Sequence, residues 1–445
     1  MIVQSADEIS EQLLEGKNIF LTGGAGVGKT YTTKKIIDIF TSNEKNVIKL
    51  ASTAMAATHI GGQTLHSFFR FGISSNIYDL QENMKYDIDT TLKKLLQKSD
   101  LIIIDEISMV SAGIMEMIRL RLTQSNYIGA LLVVGDFLQL PPVIKRRDIT
   151  EFQTLHPMVD IQGIFGFAFE SDAWELFNFE VVELTQVHRT DNASFMLVLN
   201  DIRHGKFANR HAKYLSNIMK EPDSEIEYTW LYARNSEVSI HNEKSLNELL
   251  GDVLAIEADV EEKVEGIKDE EIEKFCNDAK ISQNLLLKKG APVLFTRNSW
   301  NYYNGQKGHV INYDEGRDIL FIEDEHGRAL KVERESFERK EYVEDMVEDE
   351  VVLLQRNRLV IKQFPVVLGY ALTIHKSQGM SLNDLVIDAR HVFAPSQFYV
   401  ALSRAISPYR LILIVQKEKL YNLIHADKKA LEFYGSISEK KMEKA

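Results

Sequence analysis

Four short apolar runs alternate with helix-like patterns in the first part of the chain. They are NIFLT (18–22), VIKLAS (47–52), LIIIDE (101–106) and LLVVGD (131–136). This alternation is typical of a βαβ series around a mostly parallel sheet. Each run ends in small or polar residues, and open α/β sheets bind ligands at the carboxyl ends of their strands. The pattern therefore predicts an α/β fold with a ligand site at this edge of the sheet.

A second apolar series lies late in the chain, in YTWLYA (228–233), LVIDA (385–389) and RLILIVQ (410–416). It predicts a second α/β unit that is interrupted over roughly 251–350. The interruption contains an acidic stretch and short strand-like segments, separated by the turn pairs Asn304-Gly305, Glu315-Gly316 and His326-Gly327. A small β-barrel fits this pattern. A shorter polar insertion, without an apolar strand of its own, lies at about 72–98 in the first unit.

Length and composition agree with a multidomain globular protein. The chain has 445 residues, which at roughly 150 residues per domain predicts about three folded units. Hydrophobic residues make up 44% and charged residues 26%, close to ordinary globular usage. The single cysteine, Cys276, excludes an internal disulfide. No apolar run reaches the ~18–20 residues that span a bilayer, so we expect a cytoplasmic protein without a membrane partner.

A glycine-rich loop follows the first strand. The segment GGAGVGKT matches the pattern G-x-x-x-x-G-K-[ST] and opens the helical segment YTTKKIIDIF, which is the context that a phosphate-binding loop requires. Its glycines let backbone N–H groups turn towards phosphate oxygens, and the helix adds its positive N-terminal end. Lys29 would supply a point charge and Thr30 a hydroxyl ligand for Mg²⁺. The nucleotide-binding residues are Gly23, Gly24, Ala25, Gly26, Val27, Gly28, Lys29 and Thr30.

The run LIIIDE supplies the second half of an NTP-hydrolysing site. Asp105, at the end of the predicted strand, is suited to hold Mg²⁺. Glu106 is placed to orient and deprotonate an attacking water. Gln139 lies just past the run LLVVGD, where its amide could sense the γ-phosphate. Arg189 and Arg404 each follow apolar segments, and a guanidinium can stabilise charge on a transferring phosphoryl group.

Seven motifs occur in the order and approximate spacing of superfamily 1 helicases. They are GGAGVGKT, ASTAMAA with GGQTLHSFF, LIIIDEISMV, GDFLQLPPV, LTQVHRT, GYALTIHKSQGMS and YVALSRA. The chain resembles the PIF-type, RecD-like branch of that superfamily over about residues 18–405. The resemblance implies an ATP-dependent DNA helicase that moves 5′ to 3′ on single-stranded DNA, with ATP and Mg²⁺ as cofactors. It also implies roles in DNA repair, recombination and telomere maintenance.

The resemblance implies two RecA-like domains with ATP between them. We expect the first domain over 1–185, with a wedge insertion at about 72–98. The second domain is expected over 186–250 and 351–430, a small Src-homology-type β-barrel with the acidic stretch over 251–350, and a C-terminal tail over 431–445. The expected partners are single-stranded, forked or structured DNA, bound by a monomer.

Residue roles are carried over onto the matching positions. The resemblance implies an ATPase set of Lys29, Thr30, Asp105, Glu106, Gln139, Arg189 and Arg404. It implies that Gln378 and Gly379 connect the nucleotide and DNA sites. The residues implied to contact the DNA strand are Thr53, Thr64, His66, Thr373, His375 and Ser377.

The sequence departs from the family pattern at several points. ASTAMAA stands where the family has A-P-T-G-x-A-A, and Thr190 stands where it has glutamine. Gln4 and Gln12, the candidates for reading adenine, lie at an unusual distance from Gly23. Three segments have two interpretations each. The aromatic groups Phe68, Phe69 and Phe71, and Trp300, Tyr302 and Tyr303, are either core residues or side chains that stack on bases. The basic loop from Lys145 to Arg147 either faces solvent or faces the DNA.

Two alternative functions stay open. A superfamily 1 enzyme acting on RNA or on RNA–DNA hybrids would carry the same motifs, because contacts to the 2′-hydroxyl are invisible in them. The other alternative is an ATP-switched remodeller that binds single-stranded DNA without separating strands. Intact Lys29, Glu106, Arg189 and Arg404 argue against the second alternative.

The net charge of −13 argues, as an average, against a nucleic-acid-binding protein. The excess acidity is concentrated in two stretches. Residues 257–278 contain ten acidic and three basic residues, and residues 323–350 contain twelve and five. The rest of the chain, which carries the motifs, is therefore nearly neutral. We expect the two acidic stretches to lie away from the DNA.

Overall fold

The computed structural model describes residues 5–72, 74–144, 146–186, 192–262, 266–279, 281–297, 299–347 and 350–443. The chain folds into two units. The first takes its described residues from 1–188, 340–356 and 427–445, and the second from 189–339 and 357–426. Among the described residues, no helix is long and apolar enough to cross a membrane.

The first unit is built on a six-stranded parallel sheet. Its strands are β1 (Ile19–Thr22), β2 (Val47–Ala51), β3 (Gln63–Thr64), β4 (Leu101–Asp105), β5 (Ala130–Val134) and β6 (Glu180–Glu183). The strand order is β3-β2-β4-β5-β1-β6, and the pairing Phe20↔Val133 fixes the register of β1 against β5. Every residue of β1, β4 and β5 is buried, because helices cover a parallel sheet on both faces.

Helices cover this sheet in the part of the first unit that the structure describes. Several begin at a side-chain cap, as Ser5 accepts the N–H of Glu8 and Ser111 that of Ile114, which satisfies amide groups that a helix leaves unpaired at its start. The helices are α1 (Ala6–Leu14), α2 (Lys29–Ser42), α3 (Ala54–His59), α4 (Leu65–Phe68), α5 (Ile77–Glu82), α6 (Thr90–Gln97), α7 (Ala112–Ser125), α8 (Arg146–Leu155), α9 (Gln162–Phe165) and α10 (Asp172–Phe177).

The insertion at 72–98 consists of α5, α6 and the turns around them. A buried arginine of α7 holds it in place. Arg121 is 2% exposed, and its guanidinium donates to the carbonyls of Phe69 at 3.2 Å, Tyr86 at 2.6 Å and Lys85 at 2.5 Å. Because a guanidinium can satisfy several carbonyls at once, one side chain connects α7 to Phe69, just before the insertion, and to the turn between α5 and α6.

The second unit contains a four-stranded parallel sheet and a larger antiparallel part. Its helices are α11 (Ala193–Arg203), α12 (Asn209–Ile218), α13 (Asn235–Glu248), α14 (Asp269–Ala279), α15 (Gln397–Leu402) and α16 (Leu420–Leu423). The strands from here on, two of which continue into the first unit, are β7 (Thr229–Tyr232), β8 (Leu254–Glu257), β9 (Asp259–Glu262), β10 (Asn284–Leu287), β11 (Pro292–Phe295), β12 (Lys307–Asp314), β13 (Ile319–Asp324), β14 (Ala329–Val332), β15 (Glu335–Val347), β16 (Glu350–Gln363), β17 (Val366–Leu368), β18 (Ala371–Thr373), β19 (Leu385–Asp388) and β20 (Leu411–Ile414).

The parallel sheet has the order β18-β7-β19-β20. The antiparallel part contains a five-stranded sheet, β14-β13-β12-β11-β17, and two smaller sheets, β10-β8 and β15-β16-β9. Phe295 and Tyr302 stack at 4.1 Å inside the five-stranded sheet, and Val310, Ile322 and Phe364 belong to the same buried cluster. The prediction of parallel-sheet α/β units is confirmed, while the insertion in the second unit and its closure into a Src-homology-type barrel stay predictions.

The described part of the C-terminal segment forms a helix, α17 (Lys428–Glu443). We expected a tail over 431–445. In the structure, Phe433 stacks on Phe169 with ring centroids 4.3 Å apart, and Lys429 pairs with Glu170. The segment therefore packs on the first unit, where Phe433 contacts the aromatic ring of Phe169.

Candidate functional site: an NTPase centre with nucleic-acid-facing motifs

The phosphate loop joins β1 to α2 in a conformation that its glycines make possible. Gly23, Gly26 and Gly28 have φ angles of 140°, 76° and 90°, which residues with a Cβ rarely adopt. A Cβ on Gly23 would also lie 2.3 Å from the carbonyl oxygen of Leu184. The loop is therefore closely packed against the strand end, and its backbone amides lead directly into the start of α2, where anions bind.

Lys29 is the first residue of α2. Its ammonium donates to the carbonyls of Gly23 at 2.7 Å and Gly24 at 2.9 Å. The cation thus lies against the loop that would surround the phosphates, as the motif predicts. Thr30 follows it in the first turn and is exposed, so its hydroxyl is accessible to a bound ion.

Asp105 and Glu106 lie at the end of β4, separated from β1 only by β5. Asp105 is 7% exposed, and its Oδ1 accepts the backbone N–H of Glu106 at 2.8 Å. Glu106 has φ 53° and ψ 48°, a left-handed conformation that is uncommon for a residue with a side chain. The hydroxyl of Ser52 donates to the Glu106 carbonyl at 3.0 Å and supports this turn.

The electrostatics of this pair favour binding a cation. Burial, followed by the negative charge of Glu106, raises the pKa of Asp105 to about 7, against the opposing effects of the Glu106 amide and the Lys29 charge. A buried carboxylate next to a second carboxylate is costly to ionise. A cation bound there would offset that cost, and carboxylate and hydroxyl oxygens are ligands that Mg²⁺ prefers. The donor set of Asp105 and Thr30 therefore fits Mg²⁺.

Gln139 follows β5 and is held by an aspartate. It is 6% exposed, and its Nε2 donates to Asp136 Oδ2 at 3.2 Å. The other oxygen of Asp136 accepts the N–H of Leu138 at 3.1 Å. The amide of Gln139 is thus fixed near the strand ends that carry the phosphate loop and Asp105, which agrees with the position that the sequence predicts for it.

Thr53 follows β2, and Thr64 is the last residue of the neighbouring strand β3, which pairs with β2 at Ala51↔Thr64. Thr53 Oγ1 accepts the N–H of Ala56 at 3.3 Å, and Thr64 Oγ1 accepts that of Ser67 at 3.4 Å. Because both hydroxyls accept these bonds, each can still donate its hydrogen to another group. His66 is half-buried in α4, with its ring 5.9 Å from that of Phe71.

The segment after β18 is a tight series of turns. Thr373 Oγ1 accepts the N–H of Lys376 at 3.2 Å, and Ser377 is fully buried with its hydroxyl donating to the Ile374 carbonyl at 2.8 Å. Burial lowers the pKa values of His375 and Lys376. Gln378 is 8% exposed, and Gly379 follows with φ 81°, a conformation that favours glycine.

Arg404 lies just past α15 in the second unit. It is 2% exposed, and its guanidinium donates to the Val400 carbonyl at 3.0 Å and to Ser403 Oγ at 2.8 Å. The structure brings the phosphate loop, Asp105, Glu106 and Gln139 to one edge of the first sheet, and places Arg404 in the second unit. Arg189 lies outside the described residues.

Known proteins are similar to this chain over most of its length. The family model for PIF1-like helicase matches residues 3–213. An ATP-dependent DNA helicase Pif1 from Campylobacter jejuni is 38% identical over 442 residues, which cover 95% of this chain and 96% of that protein. The chain belongs to the PIF1-like helicase family. The resemblance to a PIF-type helicase is therefore confirmed.

Two solved structures are similar to this PIF1-like helicase. A Bacteroides Pif1 in complex with ADP-AlF4 has a TM-score of 0.81 and 27% identity, covering 99% of this chain and 98% of that chain. A structure on the unwinding of forked double-stranded DNA by two coordinating Pif1 helicases has a TM-score of 0.65 and 27% identity, covering 99% and 98%. The prediction of two RecA-like domains is confirmed by these similarities.

The structure shows which aromatic side chains belong to the core and which are exposed. Phe68, Phe69 and Phe71 of this PIF1-like helicase are 4%, 0% and 0% exposed, so they belong to the core and are not available for stacking on bases. Tyr302 is buried as well. Trp300, in contrast, is 94% exposed.

The outcomes for the basic segment 145–147 and for the adenine-reading candidates are simpler. Arg146 and Arg147 begin α8 and are exposed, while Lys145 and Gln4 lie outside the described residues. Gln12 is half-buried in α1, and its Oε1 is buried without a hydrogen-bond partner among the described residues. It is the one adenine-reading candidate that the structure describes.

Sequence reasoning assigned no role to three residues of the site, of which Ser52 and Gly135 lie inside motifs and Tyr434 lies outside them. Ser52 supports the Glu106 turn, and Gly135 has φ 155° with Ile107 atoms 3.0 Å from its would-be Cβ. Tyr434 of α17 lies 2.6 Å from Thr22, the residue before the phosphate loop. Sequence reasoning missed Tyr434 because no periodicity or motif connects residues more than 400 positions apart.

Proposed function

We propose that this chain moves 5′ to 3′ along single-stranded DNA and unwinds duplex DNA. The coarser function, an ATP-dependent DNA helicase, was predicted from the sequence and is confirmed by its family and its named relatives. The observation that carries the proposal is the 38% identity over 95% of the chain, in a fold that gathers the phosphate loop, Asp105, Glu106 and Gln139 at one edge of a sheet.

The proposed hydrolytic step uses the residues at the strand ends. Backbone amides from Gly23 to Thr30 and the Lys29 ammonium would hold the β- and γ-phosphates of ATP. The Glu106 carboxylate would orient the attacking water and take its proton. Gln139, kept in place by Asp136, would hydrogen-bond the γ-phosphate. Arg404 and Arg189 would stabilise charge on the transferring phosphoryl group, as the resemblance implies.

ATP use follows from the family, and Mg²⁺ is the proposed companion ion. Thr30 and Asp105 would hold it, and the ion would neutralise charge on the phosphate oxygens during transfer. The raised pKa of Asp105 supports this assignment, since a bound cation would favour the ionised carboxylate.

The DNA contacts are proposed on both units. Thr53, Thr64 and His66 would contact the strand from the first unit, and Thr373, His375 and Ser377 from the second. The half-buried positions of Thr53, Thr64, His66 and His375 support direct contact. For Thr373 and Ser377, which are buried, the support is the resemblance alone, together with their role in shaping the turns that carry His375.

Coupling and stoichiometry are also proposed. Gln378 and Gly379 would relay the nucleotide state to the DNA-binding turn, since they continue directly from Ser377. We propose that one molecule suffices to translocate, whereas unwinding forked DNA is associated with two coordinating Pif1 helicases in a similar structure.

The alternatives are separated by one strand-displacement assay. Forked substrates carry a 5′ DNA tail, a 3′ DNA tail or a 5′ RNA tail, and each is incubated with and without ATP. We expect ATP-dependent unwinding from the 5′ DNA tail only. Equal unwinding from the 5′ RNA tail would favour the RNA helicase, and ATP-dependent binding without displacement would favour the remodeller.

A further inference from the structure

We propose that Tyr434 of the C-terminal helix is a positioning residue for ATP hydrolysis. Its hydroxyl joins the strand that leads into the phosphate loop to the segment that carries Gln139. The inference rests on the proposed ATPase activity and extends it to a residue that lies outside every helicase motif of the chain.

The hydroxyl of Tyr434 lies across the ends of two adjacent strands. It is 2.6 Å from the hydroxyl of Thr22, the last residue of β1. It accepts the N–H of Phe137 at 3.3 Å and donates to Asp136 Oδ1 at 3.3 Å. Strands β1 and β5 pair in register up to Leu21↔Val134. Beyond these last paired residues, the Tyr434 hydroxyl links Thr22 of β1 to the segment that follows β5.

Asp136 is hydrogen-bonded both to Tyr434 and to Gln139, the predicted γ-phosphate sensor. One of its oxygens accepts from Tyr434 and the other accepts from Gln139 Nε2 at 3.2 Å. Asp136 is 1% exposed, and a hydrogen bond in such an environment is stronger and more directional than one in water. The chain of contacts therefore runs from Thr22, next to Gly23, through Tyr434 and Asp136 to Gln139.

The helix is held in place independently of the hydroxyl. The ring of Phe433 stacks on Phe169 at 4.3 Å and lies 5.4 Å from Phe137 and 5.8 Å from Trp174. Lys429 pairs with Glu170 at the start of the helix. Because these contacts do not involve the hydroxyl, Tyr434→Phe should remove three hydrogen bonds while leaving the helix packed.

The test is steady-state ATPase kinetics of the full chain with saturating single-stranded DNA. For Tyr434→Phe we expect kcat to fall about three- to tenfold, which corresponds to the net free energy of about one hydrogen bond lost in the transition state, and KM for ATP to change less than twofold. Ser436→Ala is the matched control, since it removes an exposed hydroxyl of the same helix that donates to the Phe433 carbonyl.

Two further measurements separate positioning from general stability. The melting temperature should fall by no more than a few degrees, because buried groups lose a partner, but the fraction of molecules that bind a fluorescent ATP analogue at the assay temperature should match the wild type. In a double-mutant cycle with Asp136→Asn, Tyr434→Phe should cause little additional loss if its hydroxyl acts through Asp136. If Tyr434→Phe fails to fold, Thr22→Val removes the contact from the strand side and must lower kcat by a similar factor.

A wild-type kcat in Tyr434→Phe would overturn the inference. A fall in kcat that equals the loss of ATP-binding molecules would overturn it too, because the hydroxyl would then serve only folding. Failure of the proposed function is a different outcome, because in that case the wild-type chain itself would show no ATPase stimulation by DNA.

Discussion

The backbone N–H of Glu106 donates to the carboxylate of Asp105 at 2.8 Å. This hydrogen bond stabilises the turn formed by Asp105, the last residue of β4, and Glu106, which follows it. Asp105 is buried, and Glu106 adopts a left-handed conformation that the hydroxyl of Ser52 supports. This turn gives two neighbouring carboxylates different surroundings and supports different roles for them.

Replacing Glu106 by glutamine should abolish turnover while ATP binding is retained. The amide keeps the size of the side chain but cannot accept a proton, and general-base catalysis typically contributes about 10²- to 10⁴-fold. We therefore expect kcat to fall by at least about 100-fold, with ATP affinity within a few-fold of the wild type. Glu151→Gln, at an exposed glutamate of α8, is the control. Retained turnover in Glu106→Gln would rule this residue out as the base.

Asp105 should make the stability of the metal-free protein depend on pH. Its folded-state pKa is raised above the ordinary value of 3.8 to about 7, so the folded state binds a proton more tightly than the unfolded state does. The proton on Asp105 therefore contributes to the free energy of unfolding in full below the ordinary carboxyl pKa of 3.8, and this contribution is lost as the pH rises to about 7. Asp105→Asn should therefore be more stable than the wild type at pH 8 by about 1 kcal/mol or more.

Urea unfolding at pH 5 and pH 8, in buffer with a chelator, measures this difference. Adding Mg²⁺ with ADP should stabilise the wild type more than Asp105→Asn, because the amide loses an ionised ligand. An identical pH dependence for the two proteins would contradict the electrostatic description of this turn.

Arg121 should matter more for strand separation than for ATP hydrolysis. Its guanidinium is the buried connection between α7 and the insertion that contains α5 and α6. Arg121→Leu leaves three carbonyls without this donor and should destabilise the first unit by a few kcal/mol. At a temperature where the variant is folded, the unwinding rate should fall several-fold more than DNA-stimulated ATPase does.

The control for this prediction is Arg119→Leu on the same helix, whose partly exposed side chain pairs with Glu116 of that helix. It should leave both rates near the wild type. Equal losses of unwinding and ATPase in Arg121→Leu would argue against the insertion as the part of the molecule that splits the duplex.

His375 should bind DNA as a neutral side chain. Burial lowers its pKa, so at pH 7 and above the imidazole donates a hydrogen bond without carrying a charge. We expect His375→Ala to weaken single-stranded DNA binding about three- to tenfold, with the dependence of the affinity on salt unchanged, because no phosphate-bound cation is lost. Fluorescence anisotropy over a salt series measures both quantities.

His326→Ala, at an exposed turn between β13 and β14, is the control and should bind like the wild type. A reduced salt slope in His375→Ala would contradict the neutral state. An unchanged affinity would remove His375 from the DNA contacts.

The sequence predicted the sheets and the nucleotide site because both depend on local patterns. The run LIIIDE is apolar up to its last two residues, so it specifies a buried strand and the position of its carboxylates. GGAGVGKT specifies positive φ angles through its glycines, and the structure has them at Gly23, Gly26 and Gly28. In such segments neighbouring residues alone determine the geometry.

The remaining features depend on contacts between distant parts of the chain. Phe68, Phe69 and Phe71 are core residues because Arg121 and the insertion cover that region, which FFRF alone does not reveal. The left-handed conformation of Glu106 is imposed by its surroundings and not by residue type. Tyr434 reaches Thr22 across more than 400 residues, and a C-terminal stretch of mixed polarity gives no sign of that contact.

The central claim is ATP-driven movement from 5′ to 3′, and the time course of arrival at a labelled end tests it most directly. The protein is bound to single-stranded DNA of increasing length with a fluorophore at the 3′ end or the 5′ end, and ATP is added together with a trap for free protein. We predict a delay before the signal at the 3′ end that grows with DNA length, and immediate decay without a delay at the 5′ end. A length-dependent delay at the 5′ end, or none at either end, would contradict the claim.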